Sequence, residues 1–160
     1  MKKLIFLVAL FSLWVQSAFA GINLEAVYPY NMEQRNLQTV YGGSTVPFYI
    51  NATTFDVSYE QEAEVIVNLP SGFVPQANRQ WSVEEYNDGY IAKTKWLLPA
   101  DFGMSFDLLY VKAEPGLAAG TREAVVELKS KNISERKRIS FKYENGAAEG
   151  KQEKAIDIDK

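Results

Sequence analysis

Arg122-Glu123-Ala124-Val125-Val126-Glu127-Leu128-Lys129 is the stretch whose reading decides the fold. Its residues alternate: Ala124, Val126 and Leu128 share one face, and Glu123, Glu127 and Lys129 share the other. A period of two with one wet face marks a half-buried antiparallel strand. Outward from it the same pattern recurs. Glu64-Val65-Ile66-Val67-Asn68-Leu69 puts Val65, Val67 and Leu69 together, and Arg138-Ile139-Ser140-Phe141-Lys142-Tyr143 does so with Ile139, Phe141 and Tyr143. No window holds a sustained helical period of apolar residues.

Turn signals punctuate these runs: Gly42-Gly43, Pro70-Ser71-Gly72, Asn87-Asp88-Gly89, Pro115-Gly116, Gly120 and Asn145-Gly146. The candidate spans fall near 22–29, 36–41, 45–51, 63–69, 79–86, 90–98, 105–113, 121–129 and 136–143. With the first or second short or irregular, they make about seven to eight strands. Short strands at this spacing predict an all-β protein, an immunoglobulin-like antiparallel β-sandwich. The architecture is all that is meant, since the paired cysteines of antibody domains are absent.

One hairpin is predicted in register. Asp88-Gly89 suits a two-residue type I′ loop, in which both positions need positive φ. Tyr86 would then face Ile91, Glu84 face Lys93, and Trp81 face Trp96. A one-residue slip would send each side chain to the wrong face.

The chain of 160 residues has 17 Lys+Arg, 20 Asp+Glu, no His and no Cys. Zero Cys excludes a disulfide framework, a thiolate zinc site and a cysteine nucleophile. Zero His removes the commonest general base and every Ser-His-Asp arrangement. The size fits one domain.

Residues 1–20 read as a secretory signal peptide: Lys2 and Lys3, an apolar run from Leu4 to Val15, then Ala18-Phe19-Ala20 before Gly21. The run is shorter than the about 20 apolar residues of a membrane helix. An uncleaved anchor is the alternative, and after cleavage no stable membrane span is expected. Loss of Lys2 and Lys3 takes the net charge from −3 to −5, which disfavours nucleic acid as a partner. Residues 21–143 then form the sandwich. Residues 144–160, with Glu149, Glu153, Asp157 and Asp159 among small residues and lysines, read as a charged flexible tail. The expected location is exported: periplasmic, or extracellular at the cell surface.

Only carboxylates remain for acid–base chemistry. Glu84 and Glu85 are adjacent in a strand and point to opposite faces, so they cannot flank one glycosidic bond. No catalytic residue, metal site or cofactor is assigned. Gly42-Gly43-Ser44 enters a strand rather than a helix and forms no phosphate loop. The aromatic residues carry the binding expectation. Trp81, Trp96, Tyr86 and Tyr90 are the candidate ligand- or partner-binding residues, with core packing as the competing role for the two tryptophans.

Leu69-Pro70-Ser71-Gly72-Phe73-Val74-Pro75, the Pro115-Gly116 turn and Ala119-Gly120-Thr121 carry a family likeness. They resemble bacterial immunoglobulin-like domains that accompany secreted glycosidases, the family associated with the alpha-galactosidase NPCBM module. That resemblance implies a sandwich and export over residues 45–143, and transfers no catalytic residue. The expected function is a non-catalytic binding module of the envelope, recognising an envelope protein or a polysaccharide. The alternative is a structural subunit or assembly factor of a surface appendage. It would exchange strands through its sheet edges, with Gly21–Asn36 as donor, so an oligomer is open.

Overall fold

A computed structural model describes residues 21–27, 39–131 and 133–146. Residues 1–20, read from the sequence as a signal peptide, most of the expected tail and the second half of the Gly21–Asn36 segment lie outside these described residues. Ten strands fold: β1 (Gly21–Val27), β2 (Thr39–Tyr41), β3 (Thr45–Phe55), β4 (Gln61–Pro70), β5 (Phe73–Pro75), β6 (Ser82–Tyr86), β7 (Gly89–Leu98), β8 (Met104–Ala113), β9 (Gly120–Ser130) and β10 (Ser134–Glu144). They form a four-stranded sheet in the order β1-β3-β8-β5 and a six-stranded sheet in the order β2-β10-β9-β4-β7-β6. The all-β sandwich is as expected, with more strands than the seven or eight read from sequence.

The difference is mainly at the edges. β5 is three residues long and ends in Pro75, too short for a period and marked by a residue that argues against a strand. It survives because it sits at a sheet edge, paired on one side only with β8. β2 is as short, and it runs parallel to β10. β1 pairs with β3 through seven residues, Gly21↔Phe55 to Val27↔Tyr49. The described part of the predicted donor strand is therefore taken up by its own chain.

The predicted inward faces form the core. Val65, Val67 and Leu69 of β4, Ala124, Val126 and Leu128 of β9, and Ile139, Phe141 and Tyr143 of β10 are all buried. From the other sheet, Phe48, Ile50 and Ala52 of β3 and Leu109 and Val111 of β8 meet them. Phe73 stands edge-on to Phe141, with ring centres 5.0 Å apart, and to Tyr143 at 5.8 Å. Phe48 meets Phe141 at 6.2 Å. Edge-to-face aromatic pairs add to the burial of their own surface.

The β6–β7 hairpin exists, but its register differs by two residues from the prediction. Tyr86 pairs with Gly89, Glu84 with Ile91 and Ser82 with Lys93, so the loop is Asn87-Asp88. Asn87 takes the positive φ, 50°, as asparagine tolerates. Gly89 belongs to β7 for another reason. A Cβ on it would stand 2.3 Å from the Leu69 carbonyl oxygen, where β7 lies against β4. A two-residue shift preserves the faces. The expected Glu84–Lys93 ion pair accordingly forms as a diagonal contact, Nζ to Oε2 2.9 Å. That hydrogen bond raises the Lys93 pKa above its ordinary value, against a lesser desolvation.

Candidate binding surfaces

The two outer faces of the sandwich differ in kind. On the six-stranded sheet, acidic and basic side chains stand across from one another. Glu127 bridges Lys129 (2.8 Å) and Arg136 (3.4 Å), and Glu123 meets Arg138 at 3.3 Å. Such exposed pairs contribute little to stability, about 0–1 kcal/mol each. They make a solvated, charged surface.

On the four-stranded sheet, β8 presents a different kind of outer face. β8 is apolar on both sides. Leu109, Val111 and Ala113 face the core, while Met104, Phe106 and Tyr110 face out at 55%, 61% and 44% exposure. On the same outer face Tyr49 of β3 lies opposite Leu108, with its ring 6.2 Å from that of Phe106. Asn51 lies opposite Phe106 in register. It is 9% exposed, and its Oδ1 has no hydrogen-bond partner among the described residues.

The apolar surface concentrates at one end of the sandwich. Register places the end of β3, the start of β4, the end of β7 and the start of β8 together there. Tyr59 in the β3–β4 loop, Leu97 on β7, Phe102 in the β7–β8 loop, Met104 and Phe106 are five of the seven exposed large apolar side chains among the described residues. Phe102 is 81% exposed. Its φ is +44° and that of Asp101 is +38°. A bulky residue in this region is strained and persists only where its surroundings enforce it.

The enforcing contacts are visible. Thr54, fully buried in β3, donates its hydroxyl to the Pro99 carbonyl (2.9 Å) and accepts the Gly103 N–H (3.2 Å). The Thr54 N–H reaches the Gly103 carbonyl at 2.9 Å, and the Asp101 N–H reaches the Val57 carbonyl at 3.0 Å. The loop is thus stapled at both ends, with Phe102 held out at its tip. Thr54→Val keeps the shape and removes the hydroxyl. The expected cost is about 1–3 kcal/mol, from buried groups left unpaired, read as a lower midpoint in urea unfolding.

The sequence-predicted site residues fall in different places. Trp81 and Trp96 are 1% and 8% exposed and belong to the core cluster. Their rings offer no open stacking face. Nor do they oppose one another, because β6 pairing stops at Ser82–Lys93. Tyr90 is half-buried against the core, whereas Tyr86, 61% exposed, stands beside the hairpin loop, away from the apolar end. Sequence reading passed over Phe102, Met104 and Phe106. The available signal was the double-sided apolar character of β8, since a two-layer sandwich buries only one face of each strand.

Among the described residues no three Asp or Glu side chains gather as a metal site. No helix there is long and apolar enough to cross a membrane.

The arrangement is that of an immunoglobulin-like or cohesin-like β-sandwich. The chain superposes on the seventh ScaB type I cohesin of Pseudobacteroides cellulosolvens with a TM-score of 0.51, at 9% identity, over 82% of this chain and 97% of that one. A non-cellulosomal cohesin from the archaeon Archaeoglobus fulgidus matches at 0.43 and 8% identity, over 78% and 92% of the two chains. A family 123 glycoside hydrolase from Clostridium perfringens matches at 0.48 and 8% identity, with this chain spanning 28% of it. No family model matches the chain, and no curated protein does. The sequence resemblance to the NPCBM-associated family accordingly stands only as a β-sandwich likeness.

Proposed function

We propose that the chain is a non-catalytic, exported binding module of the bacterial envelope, and that it docks a protein partner on its apolar end. One observation carries this reading: Tyr59, Phe102, Met104 and Phe106 are exposed at the end of the sandwich where Thr54 holds a strained loop in place, while the ion pairs lie on the outer face of the six-stranded sheet. Singly scattered apolar residues need no explanation, but several exposed at one end of a fold point to an interaction site. Strain held by surrounding contacts is common at binding sites. A protein partner is favoured over a polysaccharide. Phe102, Met104 and Leu97 are apolar without a polar handle, and the tryptophans that would stack on sugar rings lie in the core.

The test is binding to a partner isolated from envelope extract, with two variants in parallel. Phe102→Asp combined with Phe106→Asp is expected to weaken binding by about 100-fold, the size of losing two central anchors. Tyr86→Asp, away from the apolar end, is expected to leave it unchanged. Equal binding by all three proteins, with unfolding midpoints unmoved, would overturn the reading.

A further inference from the structure

A second surface adjoins the apolar end and has a different chemistry. β6 pairs with β7 only from Gly89 to Lys93, and β5 pairs with β8 only from Val111 to Ala113. Between the two uncovered edges the sandwich opens into a cleft of about 800 Å³, within the about 300–1,000 Å³ of small-ligand sites. Thr94 and Trp96 stand on the inward side of β7, and Ser105 and Asp107 on the inward side of β8, which Leu109 and Val111 share. The half-buried Asp107 carboxylate therefore lies at the mouth between the sheets. Lys93, Lys95 and Leu97 share the outer face of β7 and form one rim. Phe106, on the outer face of β8, forms the other.

One lining group is a donor with nothing to donate to. Trp81 is the most buried residue of the cleft, 1% exposed, and its Nε1 has no hydrogen-bond partner among the described residues. A buried indole N–H ordinarily has one. The residue is fixed in place: its main-chain N–H reaches Asn78 Oδ1 (2.9 Å), and its carbonyl accepts the Asn78 N–H (3.2 Å). The same turn brings Arg79 and Gln80 to the cleft. Charge there is balanced. Of three cations in the lining, Lys93 is held by Glu84 at 2.9 Å, which leaves Arg79 and Lys95 beside Glu64 and Asp107.

Two cations and two carboxylates select neither an anion nor a cation. They suit a neutral molecule rich in hydroxyls, each of which donates once and accepts twice. An extended peptide fits less well. Strand addition needs successive main-chain rungs, and hydroxyls already take two carbonyls of this edge: Ser82 Oγ donates to Lys93 at 3.2 Å and Ser105 Oγ to Leu97 at 3.1 Å. Across the cleft the Leu108 N–H is taken by Asp107 Oδ1 at 2.7 Å. We propose that the cleft binds a neutral oligosaccharide of a few units. Glu64 and the second oxygen of Asp107 accept from its hydroxyls, and Arg79, Lys95 and the Trp81 N–H donate to them. The exposed Phe106 ring takes the apolar face of one sugar. Trp81 so contributes an edge and not a stacking face. The inference is independent of the partner proposed for the apolar end, although Phe106 borders both.

Titration of residues 21–160 with neutral trisaccharides of glucose, galactose, mannose and N-acetylglucosamine tests it, followed by the indole N–H resonances of Trp81 and Trp96. A saturable shift of the Trp81 resonance is expected with at least one of them. Asp107→Asn and Phe106→Ala should each weaken that binding by about tenfold, the size of one lost charge-assisted hydrogen bond or one lost aromatic contact. Their unfolding midpoints should stay where they are, which separates a lost contact from misfolding. Phe102→Asp, which disables the proposed protein dock and lies outside the cleft lining, should leave sugar binding unchanged. No shift with any of the sugars at millimolar concentration, undiminished binding by both the Asp107→Asn and Phe106→Ala variants, or saturation by the anionic trigalacturonate alone would each overturn the proposal.

Discussion

Phe141→Ala is expected to lower the free energy of unfolding by about 3–5 kcal/mol, the range for removing a buried phenylalanine. Phe141 is fully buried in β10, and its ring is met edge-on by Phe48 from β3 and Phe73 from β5. It therefore bridges the two sheets. Truncation loses transfer free energy and leaves a cavity walled by strands that are fixed by their ladders and cannot collapse inward. Phe73 would lose its closest ring partner, and with it much of what holds the three-residue β5 in place. Urea unfolding followed by tryptophan fluorescence gives the measurement. A loss under about 1 kcal/mol would show that the site can repack, contrary to a rigid aromatic centre.

Gly89→Ala is expected to cost about 3 kcal/mol, at the upper end of ordinary overpacking. The Gly89 φ is not positive, so the usual argument for glycine does not apply. The obstacle is the Leu69 carbonyl, 2.3 Å from the added Cβ. It is backbone within the β4–β7 ladder, and it cannot swing aside as a side-chain tip would. Either Pro70↔Gly89 pairing opens or the hairpin slips. Thermal unfolding measures the loss, and amide exchange in Ser82–Lys93 distinguishes opening from slipping. A stability within about 0.5 kcal/mol of the parent, the range of ordinary surface substitutions, would show that the approach relaxes freely.

Those two residues also show what was legible in the sequence. The period of two in residues 122–129, 64–69 and 138–143 is a local property, and each inward face it assigned is buried. The hairpin was legible as a hairpin but not in register. Asp88-Gly89 matches a turn preference, while the need for a bare Cα at Gly89 comes from Leu69, on the preceding long strand β4. β5 was too short to carry a pattern. The tryptophans were placed among binding candidates because large aromatic residues serve cores and interfaces alike. Composition cannot choose between those roles; only the surrounding strands do. The apolar end was missed for a related reason. Phe102 is conspicuous through a positive φ and the Thr54 hydrogen bonds, and both arise from a segment some fifty residues away.

The parallel pairing of β2 with β10 has a kinetic meaning. β1 finds its partner β3 within about thirty residues of chain, but Thr39 must wait for Lys142. Closing so long a loop costs more entropy, and contacts of large sequence separation slow folding. The side of the sandwich where β1 and β2 lie is therefore sealed last. Until then the C-terminal strand, which β2 covers at only three positions, offers most of one edge to any neighbouring chain. Arg136, Lys137 and Arg138 lie along that edge. Charge at an open strand edge discourages another strand from adding to it, so this basic run guards the stretch of β10 that β2 leaves unpaired, before the first strands meet the last and after.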